Sequence, residues 1–304
     1  MSNNIRVSFT PRGDTIFKAI FGDERNVNIL AAFLRHVFEQ SPVKVEFSEL
    51  IIINPDLPVE RKDERKSTVD VLAKTEDGRL IDVEIQIADH HDMIKRSVYY
   101  ASKMIAKQVH KNGDKKNRYL NIKSSIVISI VDFKIFEDDN IYFNPLVLYN
   151  LATNEVATDV ELIYILELPK IPPNDDNKKL WTWLKFLKSN TVEEAEKQKN
   201  KIPEVDQAMN IYKKYMSDEE YKDYIETREL MAEMDENERI AIAEEKGEAK
   251  GLAKGEAKKA IEDIISFAKT GMSLTQICQT LSVDENIKNQ AIEKLNEMGI
   301  KYNK

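Results

Sequence analysis

The chain has 304 residues, of which 42% are hydrophobic and 32% are charged, so it is long enough to bury a core in one or two domains. Its net charge of -8 excludes a general electrostatic attraction to nucleic acid or anionic membranes, although a local basic groove is compatible with it. The single cysteine, Cys278, excludes an intrachain disulfide. No apolar run approaches the roughly 18 residues that a membrane helix needs. Because the start "MSNNIRVSFT" also lacks a signal-peptide pattern, we expect a cytoplasmic protein without membrane contact.

Predicted helices and strands alternate over the first part of the chain. Apolar residues at helical spacing predict one helix that starts at Asp14, its expected N-cap, and a second over about 24–39. A third helix is expected over about 90–110. Runs rich in β-branched and aromatic residues predict strands at 44–53, 67–75, 79–87, 124–133, 141–150 and 160–170. This order predicts an α/β domain with a mixed central sheet flanked by helices.

The C-terminal third is predicted to be almost wholly helical, because no proline follows Pro203. Residues 241–257 are highly charged, and glycine recurs there at every fourth position, at Gly247, Gly251 and Gly255. Each glycine inside a helix costs about 1 kcal/mol relative to alanine. The segment is therefore either a pliant linker or a helix whose glycine face packs closely against another helix.

Residues 258–304 form a predicted small helical module at the C-terminus. Capping-box spacing at Ser273–Gln276 and Ser282–Glu285 predicts three short helices, over about 258–269, 274–280 and 283–297. Such helices are compatible with a helix-turn-helix, but the last one carries balanced charge, whereas a helix that enters the major groove usually has a basic surplus. We therefore favour a packing module that joins subunits into a homo-oligomer.

The stretch "STVDVLAKTEDGRLIDVEIQI", residues 67–87, predicts a β-hairpin. A two-residue turn would mix polar and apolar side chains on both faces. A three-residue loop over 76–78 instead places Gly78 at the left-handed position of the turn, where glycine costs least. Hydrophobic pattern determines register, so we expect the three-residue loop. It places six apolar side chains on one face, as the pairs Val69–Ile85, Val71–Val83 and Ala73–Ile81.

The other face of this predicted hairpin brings acids together. Asp70 should lie opposite Glu84, Leu72 opposite Asp82, and Thr68 opposite Gln86. Carboxylates on cross-strand partners, whose Cβ atoms are about 5 Å apart, repel each other unless a proton or a cation lies between them. Mg²⁺ is commonly bound by one or two carboxylates and retains several waters. The pattern therefore favours a divalent metal site, the alternative being a solvated polar face of an ordinary sheet.

The order of several segments resembles a known family. An Asp on one strand and Glu-x-Gln on the next is similar to the core of the PD-(D/E)xK nucleases. Over about residues 10–240 the chain resembles one branch of that superfamily more closely. This branch is the recombination-promoting nucleases (Rpn), also described as transposase-like. The segments that carry this resemblance are "DTIFKAIFG", "VDVLAKTEDGRLIDVEIQ", "KRSVYYASKMIAKQV", "VISIVDFKIF" and "ILELPK".

The resemblance implies a PD-(D/E)xK nuclease-like fold and a metal-dependent DNA endonuclease. It implies metal binding by Asp70 and Glu84, with the carbonyl oxygen of Ile85 as a further ligand. Gln86 occupies the position of the usual lysine and can orient a water, although it supplies no positive charge. Lys18 on the first helix is a candidate source of that charge. The expected cofactor is Mg²⁺, with Mn²⁺ or Ca²⁺ as alternatives.

The helix predicted over 90–110 offers a candidate surface for double-stranded DNA. We expect an apolar stripe to face the core, formed by Ile94, Val98, Ala101, Ile105 and Val109. A basic and aromatic stripe would then lie on another face and contact phosphates, through Arg96, Tyr100, Lys103 and Lys107. The alternative for this second stripe is a merely solvated face.

These observations favour a DNA endonuclease of recombination or mobile-element biology. The rival hypothesis is a nuclease fold that has lost catalysis and serves in DNA binding or assembly. We expect a nuclease domain over 1–240, a charged linker or helix over 241–257, and the helical module over 258–304.

Overall fold

The computed structural model describes residues 9–53, 56–57, 67–89, 91–111, 119–137 and 140–303. The chain divides into two compact units, residues 1–227 and 228–304. Among the described residues, no helix combines the length and the apolar character needed to cross a membrane.

The first unit contains eight strands and six complete helices within the described ranges. The strands are β1 (Leu50–Ile53), β2 (Asp56–Leu57), β3 (Ser67–Thr68), β4 (Val71–Thr75), β5 (Leu80–Gln86), β6 (Ser125–Val131), β7 (Phe143–Asn150) and β8 (Glu155–Glu167). The helices are α1 (Asp14–Phe21), α2 (Val27–Phe38), α3 (Met93–Lys111), α4 (Lys179–Lys188), α5 (Val192–Glu196) and α6 (Pro203–Ser217). Helix α7 (Glu219–Lys269) begins in this unit and continues into the second.

Six strands form one mixed sheet in the order β1-β4-β5-β6-β8-β7. The pairs β5–β6 and β6–β8 are parallel, and the remaining pairs of this sheet are antiparallel. Helix α3 lies in the connection between the parallel strands β5 and β6, as parallel pairing requires. The prediction of an α/β fold with a mixed central sheet and flanking helices is confirmed.

The β4–β5 hairpin has the predicted register. Val71 pairs with Val83, Leu72 with Asp82, and Ala73 with Ile81. Gly78 has a φ of 96°, in the left-handed region that favours glycine. Hydrophobic patterning therefore identified both the loop length and the pairing of this hairpin.

The predicted pairing is wrong at the open end of the hairpin. Thr68 pairs with Asp56 in the separate β2–β3 sheet instead of with Gln86. Val69 turns away from the apolar face of β4 and is buried in the cluster beneath α3. The cause is a bend at Asp70, whose N–H donates to the Glu84 side chain and not to a strand carbonyl. This bend separates β3 from β4.

Two other predicted boundaries are corrected. The strand expected over 44–53 is shorter, because the backbone N–H groups of Ser48 and Glu49 donate to the carboxylate of Glu76 and not to a neighbouring strand. The N-cap position of α1 is Gly13, and Asp14 is the first helical residue. From there the Asp14 carboxylate pairs with Lys18 one turn later.

The two faces of the sheet are covered by different helices. On one face, buried side chains of α1, α2, α4 and α6 form a large cluster with Val71, Ala73, Ile81 and Val83. On the other face, α3 packs over β6 and β8. The hairpin is therefore buried on both faces, and the side of β5 that carries its acids is not solvated.

The stripe of α3 that faces the sheet differs from the predicted one. Ile94 and Val98 are exposed on the outer side of the helix. The buried stripe is Met93, Ser97, Tyr100, Ala101 and Met104. Apolar spacing alone gave the wrong answer because a serine lies in the contact, where the Ser97 hydroxyl hydrogen-bonds to Ser129 of β6 at 3.0 Å.

A buried ion pair explains the polar residues in "ILELPK". The carboxylate of Glu167 lies 2.9 Å from the Lys170 ammonium, and both side chains are almost completely buried. Glu167 also accepts a hydrogen bond from the backbone N–H of Ile135 at 2.7 Å and one from Asn144 at 2.9 Å. The pair therefore anchors the segment after β6 to the end of β8. Removing one partner of such a pair typically costs about 3–5 kcal/mol of stability.

The second unit has its own core. Its further helices are α8 (Leu274–Leu281) and α9 (Glu285–Glu297). They bury Ile277 and Leu295 against the end of α7, around Ile264. Ser273 caps α8 as predicted, but α9 is capped by Asp284, because Ser282 adopts a left-handed conformation with a φ of 50°.

Residues 241–257 are helical within α7, but the close packing of another helix that was expected with this alternative is not seen among the described residues. A Cβ added at Gly247, Gly251 or Gly255 would meet nothing within 4 Å. In the described parts of the chain, no other helix therefore packs against this glycine stripe. A boundary at residue 240 remains a prediction.

Candidate active site

Two carboxylates meet where the hairpin strands β4 and β5 separate. The N–H of Asp70 donates to Oε1 of Glu84 at 2.9 Å, and the N–H of Ile85 donates to Oδ2 of Asp70 at 3.0 Å. Each acid therefore has one oxygen held by the backbone of the opposite strand. The arrangement holds both carboxylates in place and leaves Oδ1 of Asp70 and Oε2 of Glu84 for other partners.

Each of these two oxygens faces a cation from a different helix. The Lys18 ammonium of α1 lies 3.0 Å from Oδ1 of Asp70. The Arg96 guanidinium of α3 lies 3.7 Å from Oε2 of Glu84. Lys18 reaches the site because Phe17 and Ile20 bury the opposite side of α1. The predicted repulsion between the acids is thus offset by two side chains that approach from opposite faces of the sheet.

Gln86 and Tyr100 complete the polar surroundings of Arg96. The guanidinium donates to Oε1 of Gln86 at 3.2 Å and to the Tyr100 hydroxyl at 3.3 Å. Nε2 of Gln86 donates to the carbonyl of Ala88 at 3.1 Å. The Gln86 amide keeps one acceptor position on Oε1 and one N–H after these bonds, so it can still hydrogen-bond a water.

Burial raises the pKa of both acids. The pKa of Asp70 is raised by burial, an effect that the Lys18 charge partly offsets. The pKa of Glu84 is raised to about 7, first by burial and second by the charge of Asp70. Both groups therefore gain from a nearby cation, because it stabilises the ionised form that burial disfavours.

The raised pKa of Glu84 makes stability depend on pH. The folded protein retains a proton between about 4.5 and 7 that the unfolded chain releases. This contribution to the free energy of unfolding is therefore complete below pH 4.5 and declines as the pH rises to about 7. In Glu84→Gln the free energy of unfolding should fall less between about pH 5 and pH 8, because the variant lacks this titrating proton. Chemical denaturation in EDTA at the two pH values measures the difference. An equally steep decline in the variant would contradict this assignment.

Asp82 is a buried acid whose environment the sequence did not reveal. It is completely buried two residues before Glu84, and neither carboxylate oxygen has a hydrogen-bond partner among the described residues. Burial, together with the charges of Glu84 and Asp70, raises its pKa well above the ordinary value. The alternation of β5 in the sequence places Asp82 and Glu84 on the same face. Only the packing of α3 in the structure shows that this face is shielded from water.

Arg12 is a second residue that sequence reasoning missed. It lies just before α1, is almost fully buried, and pairs with Asp132 at 2.9 Å. It also donates to the carbonyl of Lys188 at 2.9 Å, while the Asp132 N–H donates to the carbonyl of Gln86 at 3.0 Å. These contacts tie the start of α1 to the end of β5, and they thereby help to place Lys18 beside Asp70.

The predicted DNA-contacting stripe is only partly assembled at this site. Arg96 and Tyr100 lie beside the acids, but Tyr100 is 8% exposed and packs against the sheet. Lys103 lies over the ring of Tyr99, with its Nζ 5.3 Å from the ring centroid. Lys107 follows Arg96 by 11 residues, which corresponds to about 16 Å along a helix. The four residues therefore do not form one continuous exposed surface.

The donor set fits a hard divalent cation. Asp70 and Glu84 supply two carboxylates, and Mg²⁺ is usually bound by one or two carboxylates while it keeps several waters. The described residues contain no cluster of three or more His, Cys, Asp or Glu side chains arranged for a metal. A bound ion would therefore rely on two carboxylates and waters.

The comparison with family models gives a match over most of the chain. The model described as PD-(D/E)XK nuclease family transposase matches residues 11–243. The chain belongs to this family. The match confirms the PD-(D/E)xK transposase-like resemblance, and it covers the mixed sheet and every residue of the acid site. Comparison with curated proteins and with solved structures gives no match.

Proposed function

We propose that this PD-(D/E)XK nuclease family transposase is a metal-dependent DNA endonuclease that hydrolyses phosphodiester bonds in double-stranded DNA. The observation that carries the proposal is the pair Asp70 and Glu84, because a backbone N–H of the opposite strand holds one oxygen of each carboxylate and leaves the other oxygen for a further ligand. The family's description as a transposase supports a link to recombination or mobile elements.

In this proposal the chain's residues have separate tasks. Asp70, Glu84 and the Ile85 carbonyl would hold Mg²⁺, which when bound would lower the pKa of a water and offset charge on the phosphate. Gln86 orients the attacking water through its remaining hydrogen-bonding positions. Lys18, whose ammonium lies beside Asp70, would stabilise negative charge on a phosphate bound at the acids. Arg96 stays with Gln86 and keeps its amide in place.

A plasmid cleavage assay tests this function. We expect the purified chain to nick or linearise supercoiled DNA in Mg²⁺ or Mn²⁺, and to lose this activity in EDTA because the two acids then lack their ion. Adding excess Mg²⁺ back should restore cleavage, which controls for damage by the chelator. Undiminished cleavage in EDTA would contradict a metal-dependent mechanism.

One observation favours the rival function, a nuclease fold without catalysis that serves DNA binding or assembly. Lys18 and Arg96 already place a positive charge beside each acid, so these contacts are made without a metal. The same assay, combined with thermal denaturation, separates the two functions. Stabilisation by Mg²⁺ without any cutting would favour the rival.

We also propose that the second unit joins subunits into a homo-oligomer. The support is the glycine stripe of α7, where added Cβ atoms would meet nothing in the described chain. Sedimentation of the full chain, compared with a variant that has alanine at all three glycines, tests this role.

A further inference from the structure

A groove at the turn end of the β4–β5 hairpin collects lysines from three separate elements. Its volume is about 590 Å³, and its lining includes Ile53 of β1. Lys74 comes from β4, Lys107 from α3, and Lys123 from the segment before β6. These residues are far apart in the sequence, so only the fold brings their charges to one surface.

Hydrogen bonds hold one wall of the groove in place. The side-chain amide of Gln108 accepts from the N–H of Lys123 at 2.8 Å and donates to its carbonyl at 2.9 Å. The same amide donates to the Ser125 hydroxyl at 3.1 Å. Because Gln108 neighbours Lys107 on α3, this clamp keeps the backbone of Lys123 beside that helix in the free protein.

The charge of the groove is opposite to that of the whole chain. Among the described residues that line it, the one acid is Asp77, and its carboxylate is paired with Arg79 at 2.8 Å. The three lysines therefore contribute a net positive charge on a protein whose formal net charge is -8. Such a local basic groove attracts polyanions even when the protein as a whole repels them.

We infer that this groove binds the phosphate backbone of double-stranded DNA beside the cleavage site, an inference that rests on the proposed function. Leu80, which lines the groove, precedes Glu84 by four residues on β5, or about 13 Å along the strand. Phosphates of one DNA strand are about 3.4 Å apart along the helix axis. The groove thus engages the duplex about four base pairs from the acids and orients it without reading its sequence.

Salt dependence of binding tests the inference. The probe is a duplex of about 30 base pairs, titrated with protein in Ca²⁺ at several salt concentrations. Each lysine that neutralises a phosphate contributes about 1 to the slope of log K against log salt. We expect Lys74→Ala, Lys107→Ala and Lys123→Ala together to reduce the slope by about 3 and to weaken binding to all sequences alike.

The matched control removes the same charge elsewhere. Lys179, Lys197 and Lys199 are exposed in or beside α4 and α5, on helices that pack against the opposite face of the sheet. Their triple alanine variant should leave the slope unchanged. If the groove triple variant fails to fold, the double variant of the exposed residues Lys74 and Lys123 should lower the slope by about 2.

The outcomes distinguish the groove from the catalytic proposal. If the groove variants show the wild-type slope and the wild-type protein cleaves DNA, the groove inference is wrong and the nuclease proposal is retained. A reduced slope together with no cleavage by wild type supports the groove and overturns the nuclease. Failure of the wild-type protein to bind duplex DNA overturns both.

Discussion

Replacing Asp70 with Asn, or Glu84 with Gln, should lower magnesium-dependent DNA cleavage at least about 100-fold, because metal-ion catalysis contributes several kcal/mol. Each substitution removes a negative oxygen ligand while it preserves the shape of the side chain. The amide oxygen can still accept the backbone bond that each carboxylate now accepts at about 3 Å. The loss should therefore arise at the metal and not from a changed hairpin, and plasmid nicking rates measure it.

A matched variant is available on the same sheet. Glu161 of β8 is a half-buried acid whose pKa is also raised by burial, and it pairs with Ser125 at the start of β6, away from the acid site. Glu161→Gln should cleave like wild type. In EDTA near neutral pH, the Asp70 and Glu84 variants should be at least as stable as wild type, because burial disfavours the charged forms of both acids. Wild-type cleavage rates in both site variants would refute the metal site.

Lys18→Met should lower the cleavage rate about 100-fold, the effect of losing one donor to transition-state charge. The reason is that Gln86 supplies no positive charge at the position where related nucleases carry lysine. The Lys18 ammonium lies 3.0 Å from Asp70, so it can reach a phosphate bound at the acids. Single-turnover cleavage at saturating protein measures this effect separately from DNA binding. Lys18→Arg should retain part of the rate, because it keeps the charge.

Lys222 provides the control for Lys18. Its side chain is 33% exposed, compared with 37% for Lys18, and its ammonium also pairs with an acid on the same helix, Glu219, at 2.7 Å. Lys222→Met changes the net charge equally and should leave cleavage unchanged. If Lys18→Met also cleaves at the wild-type rate, the role of Lys18 is limited to the ion pair with Asp70.

The β4–β5 hairpin and the proximity of its acids could be predicted from the sequence alone. Alternation in 67–87 allowed only one register that keeps Val71, Ala73, Ile81 and Val83 on a single face. That register also determined that Asp70 and Glu84 would meet. Local spacing was sufficient because a one-residue slip in a strand exchanges its two faces, so a wrong register would have placed polar side chains among the apolar residues of the large cluster.

The environment of those acids was decided by the tertiary structure. Lys18 and Arg96 approach from helices on opposite faces of the sheet, and Asp82 is dry because α3 covers it. The stripe of α3 that faces the sheet was predicted wrongly because a helix has several faces of similar hydrophobicity. The partner surface selects among them, and here that surface presents Ser129. The pairing of two strands in a hairpin is a local constraint that can be inferred from the sequence. Helix orientation, burial and the proximity of distant charges depend on residues that only folding brings together.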